Sequence, residues 1–507
     1  MPNLFASLVL YGYPLVVLVL FRKMERPQAL IWSIMAGYLF LPEQTGIDLP
    51  LLPPLDKTLI PSLSAAIMCL IMPDRSGGRR EAPHRAREEE QLSMAAPGDR
   101  IADLCILVLF AVPIVIYATN TDPVIKGPRS VPGLRPYDIF SMMLNTGTML
   151  LPFLLSRRHL NTAEAQISLL RTFVVAGLIY AVLILTEVRL SPQLNKWIYG
   201  FYSHSFAQHI RAGGFRPMVF IEHGLRVGIF MAMATLAALT LWRTRRTALD
   251  TSLGRNAATE SGSRLSGTIF WVFLWLLFIL VMSKTVGALA ITILFIPVVG
   301  FLGSRLQALI AMGLTVMILL YPMLRAADIV PVERIVAVAQ DISADRAQSL
   351  QFRLDNEDIL LERARQKPVA GWGGWGRSRS FDPVTGKDIS VTDGSWIIAF
   401  GSSGWVGYLA QFTLLTLPIL TLSWRRKDTP IVTAGLTFIL LANMIDLIPN
   451  SGLTPLTWML AGTLMARRVR VAVVEPETAL DHDRAYAGPQ YTRFATSRSR
   501  GSAASAI

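Results

Sequence analysis

The stretch GTIFWVFLWLLFILVMSKTVGALAITILFIPVVG, residues 267–300, decides the class of this protein. It contains a single charged side chain, that of Lys284, which divides it into two apolar runs. A helix needs roughly 20 apolar residues to cross the hydrocarbon core of a bilayer. Two such runs, joined by a short turn that carries the charge, predict a pair of membrane helices.

The same pattern recurs along the chain and predicts about 12–13 membrane helices, that is, an all-α polytopic membrane protein. Three of the runs, at about 13–15 residues, are short for a full crossing. The predicted spans are 4–21, 29–41, 58–72, 101–118, 136–155, 168–187, 217–241, 267–282, 285–303, 306–324, 395–422, 430–448 and 454–466.

Composition excludes a soluble globular enzyme. Of 507 residues, 52% are hydrophobic and only 16% are charged, whereas roughly 25% are charged in an ordinary soluble domain. The net charge of +13 could indicate a nucleic-acid ligand. We attribute it to basic cytoplasmic loops, which membrane proteins carry in excess, and predict no nucleic-acid partner.

The positive charge is distributed unequally between alternate loops, and this predicts the orientation. One set of loops carries 20 Lys and Arg residues and the other set 9, leaving out the largest loop and the C-terminal tail. The richer set is predicted to be cytoplasmic, which places the N-terminus outside and the C-terminus inside a bacterial inner membrane. The richer set comprises 22–28, 73–100, 156–167, 242–266, 304–305 and 423–429; the poorer set comprises 42–57, 119–135, 188–216, 283–284 and 449–453.

The predicted organisation is a transmembrane domain, residues 1–470, followed by a flexible cytoplasmic tail, residues 471–507. The domain includes a large outer loop, 325–394, in which DRAQSLQFRLDNEDILLERARQ predicts an amphipathic helix of about five turns. A loop of this length is usually functional.

No cofactor or metal is predicted. Cys69 and Cys105 lie in apolar runs without the spacing of a disulfide or metal site. The six histidines are interpreted as too few and too scattered for a metal cluster. No nucleotide-binding signature is present.

The first candidate constellation is HSFAQHIRAGGFRPMVFIEHG, residues 204–224. Arg211 and Arg216 flank a Gly-Gly pair, and guanidinium groups suit phosphate oxygens. Glu222 and His223 follow at the predicted membrane edge, where ionisable groups are costly and therefore often functional. Alternatively, the arginines only reach toward the interface and Glu222 pairs with Arg226.

Two further outer-face features could carry chemistry. Lys284 could hold a phosphate or only anchor its turn at the interface. Asp393, just before span 395–422, could accept a hydroxyl proton or cap that helix. Trp372 and Trp375 in GWGGWG are more typical of an interfacial aromatic belt than of a sugar-stacking surface.

Together these residues resemble the bacterial O-antigen ligase and polysaccharide polymerase family. The elements that carry the resemblance all lie on the predicted outer face, in the family's order, and cover roughly residues 200–420. They are Arg211, Gly214, Phe215 and Pro217; then Ser283, Lys284, Gly287 and Ala288; then Pro368, Gly371 and Gly373; and last Asp393, Gly394, Gly404 and Gly407.

Two positions depart from the family pattern. Lys284 stands where the family has an arginine, and Asp393 stands where it has a histidine. The second departure favours a polymerase of an exopolysaccharide pathway over a lipopolysaccharide ligase.

The resemblance implies a GT-C-like helical membrane glycosyltransferase that needs no metal. Its donor would be a glycan on a polyprenyl diphosphate, its acceptor a second glycan, and other polysaccharide assembly proteins are possible partners. Arg211 and Arg216 would neutralise the diphosphate with help from Lys284, and Asp393 or His223 would take the acceptor proton. Glu222, Trp372 and Trp375 are the further predicted contacts to substrate.

Two other functions stay open. A transporter or flippase of lipid-linked oligosaccharide would also have many helices and outer cations, although it would need polar groups within several spans. A polyprenyl-phosphate-sugar transferase would use acidic residues of the first outer loop, which offers Glu43, Asp48 and Asp56.

Overall fold

The structure is a computed structural model, and it describes residues 2–50, 52–73, 97–211, 213–253, 260–342, 344–424 and 429–465. The predicted tail, 471–507, and most of the predicted loop 73–100 lie outside the described residues.

The chain is a mostly helical, multi-pass membrane protein, with 73% of the described residues in helices. Among the described residues, eight helices are long and apolar enough to cross a membrane. The helices are α1 Leu4–Lys23, α2 Arg26–Phe40, α3 Leu59–Ile71, α4 Pro97–Thr119, α5 Pro136–His159, α6 Ala163–Leu190, α7 Leu194–Tyr199, α8 Gly224–Leu253, α9 Glu260–Met282, α10 Val286–Phe301, α11 Ser304–Ala326, α12 Val332–Ile342, α13 Ala344–Arg365, α14 Ser395–Trp424, α15 Ile431–Asp446 and α16 Pro455–Met465.

Every predicted span overlaps a helix, but the helices at five of the thirteen spans, α2, α3, α10, α15 and α16, are shorter than 18 residues and are not among the eight that are long and apolar enough to cross a membrane. The helix predicted in the large loop is α13, but its predicted amphipathic character is not confirmed, because Phe352 is exposed whereas the polar Asn356 and Glu357 are buried. Helix α12, which precedes α13, was not predicted. Three antiparallel two-residue or three-residue ladders complete the secondary structure. They are β1 Gly46–Ile47 with β2 Leu55–Asp56, β3 Val124–Lys126 with β4 Arg129–Val131, and β5 Ile210–Arg211 with β6 Gly214–Phe215.

Helix α8 is the centre of the bundle, since 83% of its apolar window is buried. It packs against α6, α9, α10 and α15. Small residues bring these helices together: a side chain at Gly177 would collide with Ala234, and one at Gly435 would collide with Thr240. Close approach through small residues is the usual way to pack helices in lipid, where apolar burial gives no advantage over the lipid tails.

The predicted start of the seventh span, residue 217, is wrong. Helix α8 begins at Gly224, and residues 217–223 form an irregular segment. Pro217 donates no backbone hydrogen bond, and Val219 adopts a left-handed φ of 54°. Glu222 and His223 therefore precede the helix rather than lying within it.

The loops predicted to be outside do meet on one face, hereafter the loop face. Gln44 donates to the Ser203 carbonyl at 2.8 Å, which joins loop 42–57 to loop 188–216. Arg353 of α13 donates to Asn450 Oδ1 at 3.2 Å, which joins the large loop to the last outer loop.

Helix α14 is interrupted at Gly404, whose φ of 64° and ψ of −171° are not helical. Beyond the break, the Trp405 amide donates to the Pro368 carbonyl at 2.7 Å and the Val406 amide to the Val369 carbonyl at 3.2 Å. In an uninterrupted helix these two amides would bond to carbonyls four residues earlier.

The two carbonyls that these amides would have bonded to are instead bonded to amides of the same loop segment. Gly401 accepts from the Trp372 amide at 2.9 Å, and Ser402 accepts from the Gly373 amide at 2.8 Å. The segment 368–373 is thus inserted into the hydrogen-bond ladder of α14. It satisfies two donors and two acceptors that the break would otherwise leave unpaired.

Replacing Gly404 with alanine is expected to destabilise the protein by at least about 2 kcal/mol. The backbone conformation there is available only to glycine, and a Cβ would collide with the Val369 carbonyl. The measurement is the melting temperature in detergent by size-exclusion recovery. Gly313→Ala in α11, where a Cβ meets no atom within 4 Å, is the control. Equal melting temperatures for the two variants would contradict the insertion.

The charge distribution further predicts which side the loop face occupies. Gln208→Cys lies on the loop face and Arg245→Cys at the far end of α8, and both positions are exposed. A membrane-impermeant maleimide should label the first in intact spheroplasts and the second only after lysis. The native Cys69 and Cys105 are buried, so background labelling should be low. The reverse pattern would show the opposite orientation.

Candidate functional site

The hairpin β5–β6 projects the first predicted constellation from the loop face. Ile210 pairs with Phe215 and Arg211 with Gly214, with Gly213 in the turn at φ 68°. Arg216 follows the hairpin, and its amide bonds to the His209 carbonyl at 2.8 Å. The backbone of Arg211 is described in the hairpin, whereas its side chain lies outside the described part.

Two predicted cations, 68 residues apart in sequence, meet beside this hairpin. The Arg216 guanidinium is 3.4 Å from the Lys284 carbonyl oxygen, at the long end for a hydrogen bond. The Lys284 ammonium lies so close to Gly214 that a Cβ there would overlap with it. A Cβ at Gly224 would likewise overlap with the Arg216 side chain. Glycines at 214 and 224 therefore provide the space that both cations occupy.

The turn between α9 and α10 holds Lys284 in a conformation that is unusual for a non-glycine residue, with φ 55°. Ser283 Oγ donates to the Leu280 carbonyl at 2.6 Å, and the Ser283 and Thr285 hydroxyls lie 2.7 Å apart. Thr285 in turn packs against Gly228 of α8. Neighbouring contacts thus fix a backbone that is costly for lysine.

A buried carboxylate holds the irregular segment before α8. Glu187, at the end of α6, is 1% exposed. Its Oε2 accepts hydrogen bonds from the Met218 and Val219 amides, both at 2.8 Å, and its Oε1 accepts from the Leu194 amide at 3.0 Å. Sequence analysis missed this residue. Its only signal was an acidic side chain in the last turn of an apolar span.

Three histidines come together next to the arginines, and the interpretation that the histidines are too scattered to cluster is wrong. The ring centroids of His204 and His223 are 4.7 Å apart, those of His209 and His223 4.9 Å, and those of His204 and His209 5.6 Å. The irregular segment 217–223 brings the last histidine back toward the first two, which a straight helix would not do.

The hydrogen bonding of His223 bears on its predicted role. Burial lowers its pKa to about 3, and the positive charges of His209, His204, Arg216 and Arg226 also contribute. The ring is therefore neutral at physiological pH. Its Nδ1 accepts from the Leu225 amide at 3.1 Å, which leaves the proton on Nε2. In this state Nε2–H is a hydrogen-bond donor, suited to an anion rather than to accepting a proton.

Glu222 forms the ion pair that the sequence left as an alternative. Its carboxylate lies 2.7 Å from the Arg226 guanidinium, which also donates to the Ser451 carbonyl at 3.1 Å. Arg226 thereby connects the cluster to the last outer loop, residues 447–452.

Asp393 directly precedes residues that contact the same loop. The Ser395 amide bonds to the carbonyls of Leu447 and Asn450 at 2.9 and 3.1 Å. Gly394, with φ 84°, packs against the Ile448 carbonyl. Within the described residues, no hydrogen bond joins the Asp393 carboxylate to the first turn of α14, so the capping alternative is not observed. Nor does an ion pair join Asp393 to the arginines.

The two predicted tryptophans lie apart from this cluster. Trp372 donates from Nε1 to the Arg363 carbonyl at 2.8 Å, and the Arg363 guanidinium lies 3.4 Å from the centroid of its ring. Arg363 lies ten residues along α13 from Arg353, a rise of about 15 Å. The Trp372 ring is covered by its own chain, whereas Trp375 is 51% exposed.

Arg377 was also missed by sequence analysis. It is 1% exposed and donates to the Pro132 carbonyl at 2.7 Å, the Asp122 carbonyl at 2.8 Å and the Trp372 carbonyl at 3.2 Å. These bonds tie loop 119–135 to the inserted segment. Burial lowers the pKa of this guanidinium.

A cavity of about 210 Å³ opens between the loop that precedes α3, helix α5 and the start of α16. Its polar lining includes Asp56, Asn145 and Thr454. Trp458 also lines it, and the Nε1 of this tryptophan has no hydrogen-bond partner among the residues that the structure describes. No contact connects the cavity to the cationic cluster among the described residues.

Comparisons with known proteins identify no relative: no family model, no curated protein and no solved structure matches this chain.

The substitution Lys284→Gly removes the positive charge of the lysine, while glycine can still adopt the left-handed backbone of the turn. The variant should keep its melting temperature, because relief of left-handed strain, about 1 kcal/mol, offsets the flexibility of glycine. It should bind inorganic pyrophosphate at least about tenfold more weakly, since a charge-assisted contact is worth roughly 1.5–3 kcal/mol. Calorimetry in nanodiscs measures both quantities.

The matched control for this prediction is Lys387→Gly, which removes an exposed lysine from a loop-face turn outside the cluster. Equal pyrophosphate binding by the two variants would exclude Lys284 from the anion site.

Proposed function

We propose that this chain is a membrane glycosyltransferase that transfers a glycan from a polyprenyl diphosphate to a hydroxyl of a second glycan. A polysaccharide polymerase is the form we favour, with an O-antigen ligase as the closest variant. The observation that carries the proposal is the convergence of Arg216 and Lys284 beside Gly214 on the loop face.

The chemistry requires positive charge rather than an energy source. The acceptor hydroxyl attacks the anomeric carbon, and the bond from that carbon to the diphosphate oxygen breaks. The departing polyprenyl diphosphate takes the electron pair, so negative charge grows on its oxygens. Preorganised cations such as Arg216 and Lys284 stabilise this charge most in a site from which water is excluded.

The surroundings of the cluster suit a lipid-linked donor. Lys284 stands at the turn between α9 and α10, whose outward faces are apolar and open to lipid. Trp271 is 70% exposed, Leu294 61% and Phe301 69%. A diphosphate at the interface could contact Lys284 while its polyprenyl chain lies along these helices.

The acceptor proton would go to Asp393, because the accessible nitrogen of His223 already carries a proton. The loop after α15 connects the two parts of this site: the Ser395 amide, two residues after Asp393, bonds to the Leu447 and Asn450 carbonyls, and Arg226 donates to the Ser451 carbonyl. Arg353 of α13 holds Asn450 of the same loop. An acceptor glycan that enters over this loop would lie between donor and base. The outer helices α12 and α13 would then exclude water from the reaction.

A flippase receives less support. Discontinuous helices in transporters expose backbone groups that bind substrate or ions. The break at Gly404 has its neighbouring backbone groups bonded to segment 368–373, which leaves none of those four for a transported ligand.

A polyprenyl-phosphate-sugar transferase would need the acidic residues of the first outer loop. Glu43 instead pairs with Lys57 at 2.8 Å. Asp56 accepts hydrogen bonds from the amides of Thr58 and Leu59 at the start of α3. Both carboxylates serve the local structure.

The test is rescue of a strain that lacks the gene with wild type, Arg216→Ala or Asp393→Ala at matched membrane levels. Each variant should lower surface polymer by about 100-fold or more, as expected for loss of a charge-stabilising or proton-accepting group. Polymer length is followed by gel and lipid-linked repeat units by mass spectrometry. The control is Arg245→Ala, an exposed arginine at the other end of α8.

The location of the accumulated intermediate separates the alternatives. Lipid-linked units with sugars facing outward support the transferase. Units that accumulate facing the cytoplasm would identify a flippase. Full rescue by Arg216→Ala would exclude this cluster as the site.

A further inference from the structure

The three clustered histidines are closer together than the binding of a glycan or a diphosphate would require. One candidate ligand atom from each of His204, His209 and His223 lies within 4.8 Å of the other two. A metal ion bound by three imidazoles needs these atoms about 3–3.5 Å apart, since each nitrogen lies roughly 2.0–2.1 Å from the metal. Modest side-chain rotations would close the difference.

His209 has the hydrogen bonding of a metal-ligating histidine. Its Nδ1 lies 2.9 Å from the Ser205 carbonyl and must be the donor, because a carbonyl oxygen only accepts. Its Nε2 therefore carries the lone pair. The amide of Gly224 approaches this nitrogen only to 3.4 Å, longer than an ordinary hydrogen bond. Metal-bound histidines commonly donate their second nitrogen to a backbone carbonyl in this way.

His204 provides an independent observation. Its Nδ1 is buried and makes no hydrogen bond within the described part of the chain. A buried polar atom without a partner destabilises the folded protein. The rings of His204 and His223 lie side by side, with their centroids 4.7 Å apart, so an ion shared by the two residues would satisfy this nitrogen.

His223 would have to give up one contact. Its Nδ1 accepts from the Leu225 amide, and coordination through either nitrogen displaces that bond. The loss of one neutral hydrogen bond is small beside the bond that an imidazole nitrogen forms with zinc, so it does not prevent coordination.

The charges nearby select the kind of metal. Arg216 and Arg226 face the cluster and oppose a dication, and Glu222 partly offsets them. Calcium and magnesium need several oxygen ligands, which this cluster lacks. Zinc, cobalt and nickel bind strongly to imidazole. Three protein ligands also leave a coordination position open, as in catalytic zinc sites.

We propose that His204, His209 and His223 form a binding site for a divalent transition metal of the zinc class. The open position would lie beside Arg216, so an anion could be bound by the metal and the guanidinium together. That this anion is a polyprenyl diphosphate rests on the proposed function; the metal site itself does not.

The test is binding of Co²⁺ to the purified full chain in nanodiscs after removal of metal with a chelator. Wild type should bind one equivalent and show the visible absorption of a low-coordinate cobalt site. His204→Gln and His223→Gln should each weaken binding by at least about tenfold, because even loss of a supporting partner costs 10–100-fold. His159→Gln, at the end of α5, is the control and should bind as wild type does.

Folding of each variant is checked by its melting temperature without metal. Wild type and His159→Gln should gain thermal stability when Zn²⁺ is added, and His204→Gln and His223→Gln should gain less at the same Zn²⁺ concentration. Failure of stripped wild type to bind one equivalent would overturn the site. So would equal binding by His204→Gln, His223→Gln and His159→Gln. Since no glycan substrate is present, this result is independent of whether the chain transfers glycans.

Discussion

The need to satisfy backbone hydrogen bonds without water governs this protein. It explains why the long apolar runs of the described chain are helical. It also explains the exception at Gly404, where segment 368–373 supplies two acceptors and two donors to the interrupted helix α14. The large loop is therefore built into the membrane domain, and its helix α13 reaches the last outer loop through Arg353.

The same requirement positions the cationic cluster. Residues 217–223 leave helical geometry at the membrane edge, and the carboxylate of Glu187 compensates by accepting from two of their amides. This irregular segment lets His223 turn back to His204 and His209. The Glu187 carboxylate, which is energetically unfavourable in a membrane helix, thus supports the backbone of the site rather than taking part in its chemistry.

Three cationic side chains, those of Arg216, Lys284 and Arg226, come together at one place on the loop face. Arg216 and Lys284 share one small space, and Arg226 has Glu222 as its carboxylate partner. Such an arrangement favours a multiply charged anion over a neutral sugar. A metal bound by the three histidines would add to this preference, whereas Trp372, covered by Arg363, contributes to the structure of the large loop.

The sequence by itself determined the membrane class, the positions of the apolar helices and the presence of helix α13, because hydropathy and helix propensity are local properties of the chain. It also placed Arg216 and Lys284 on one face through the alternation of loops. Only the tertiary structure decided the late start of α8, the histidine cluster and the roles of Glu187 and Arg377. These depend on contacts between residues distant in sequence, and no local pattern records which buried amides or carbonyls a given side chain will meet.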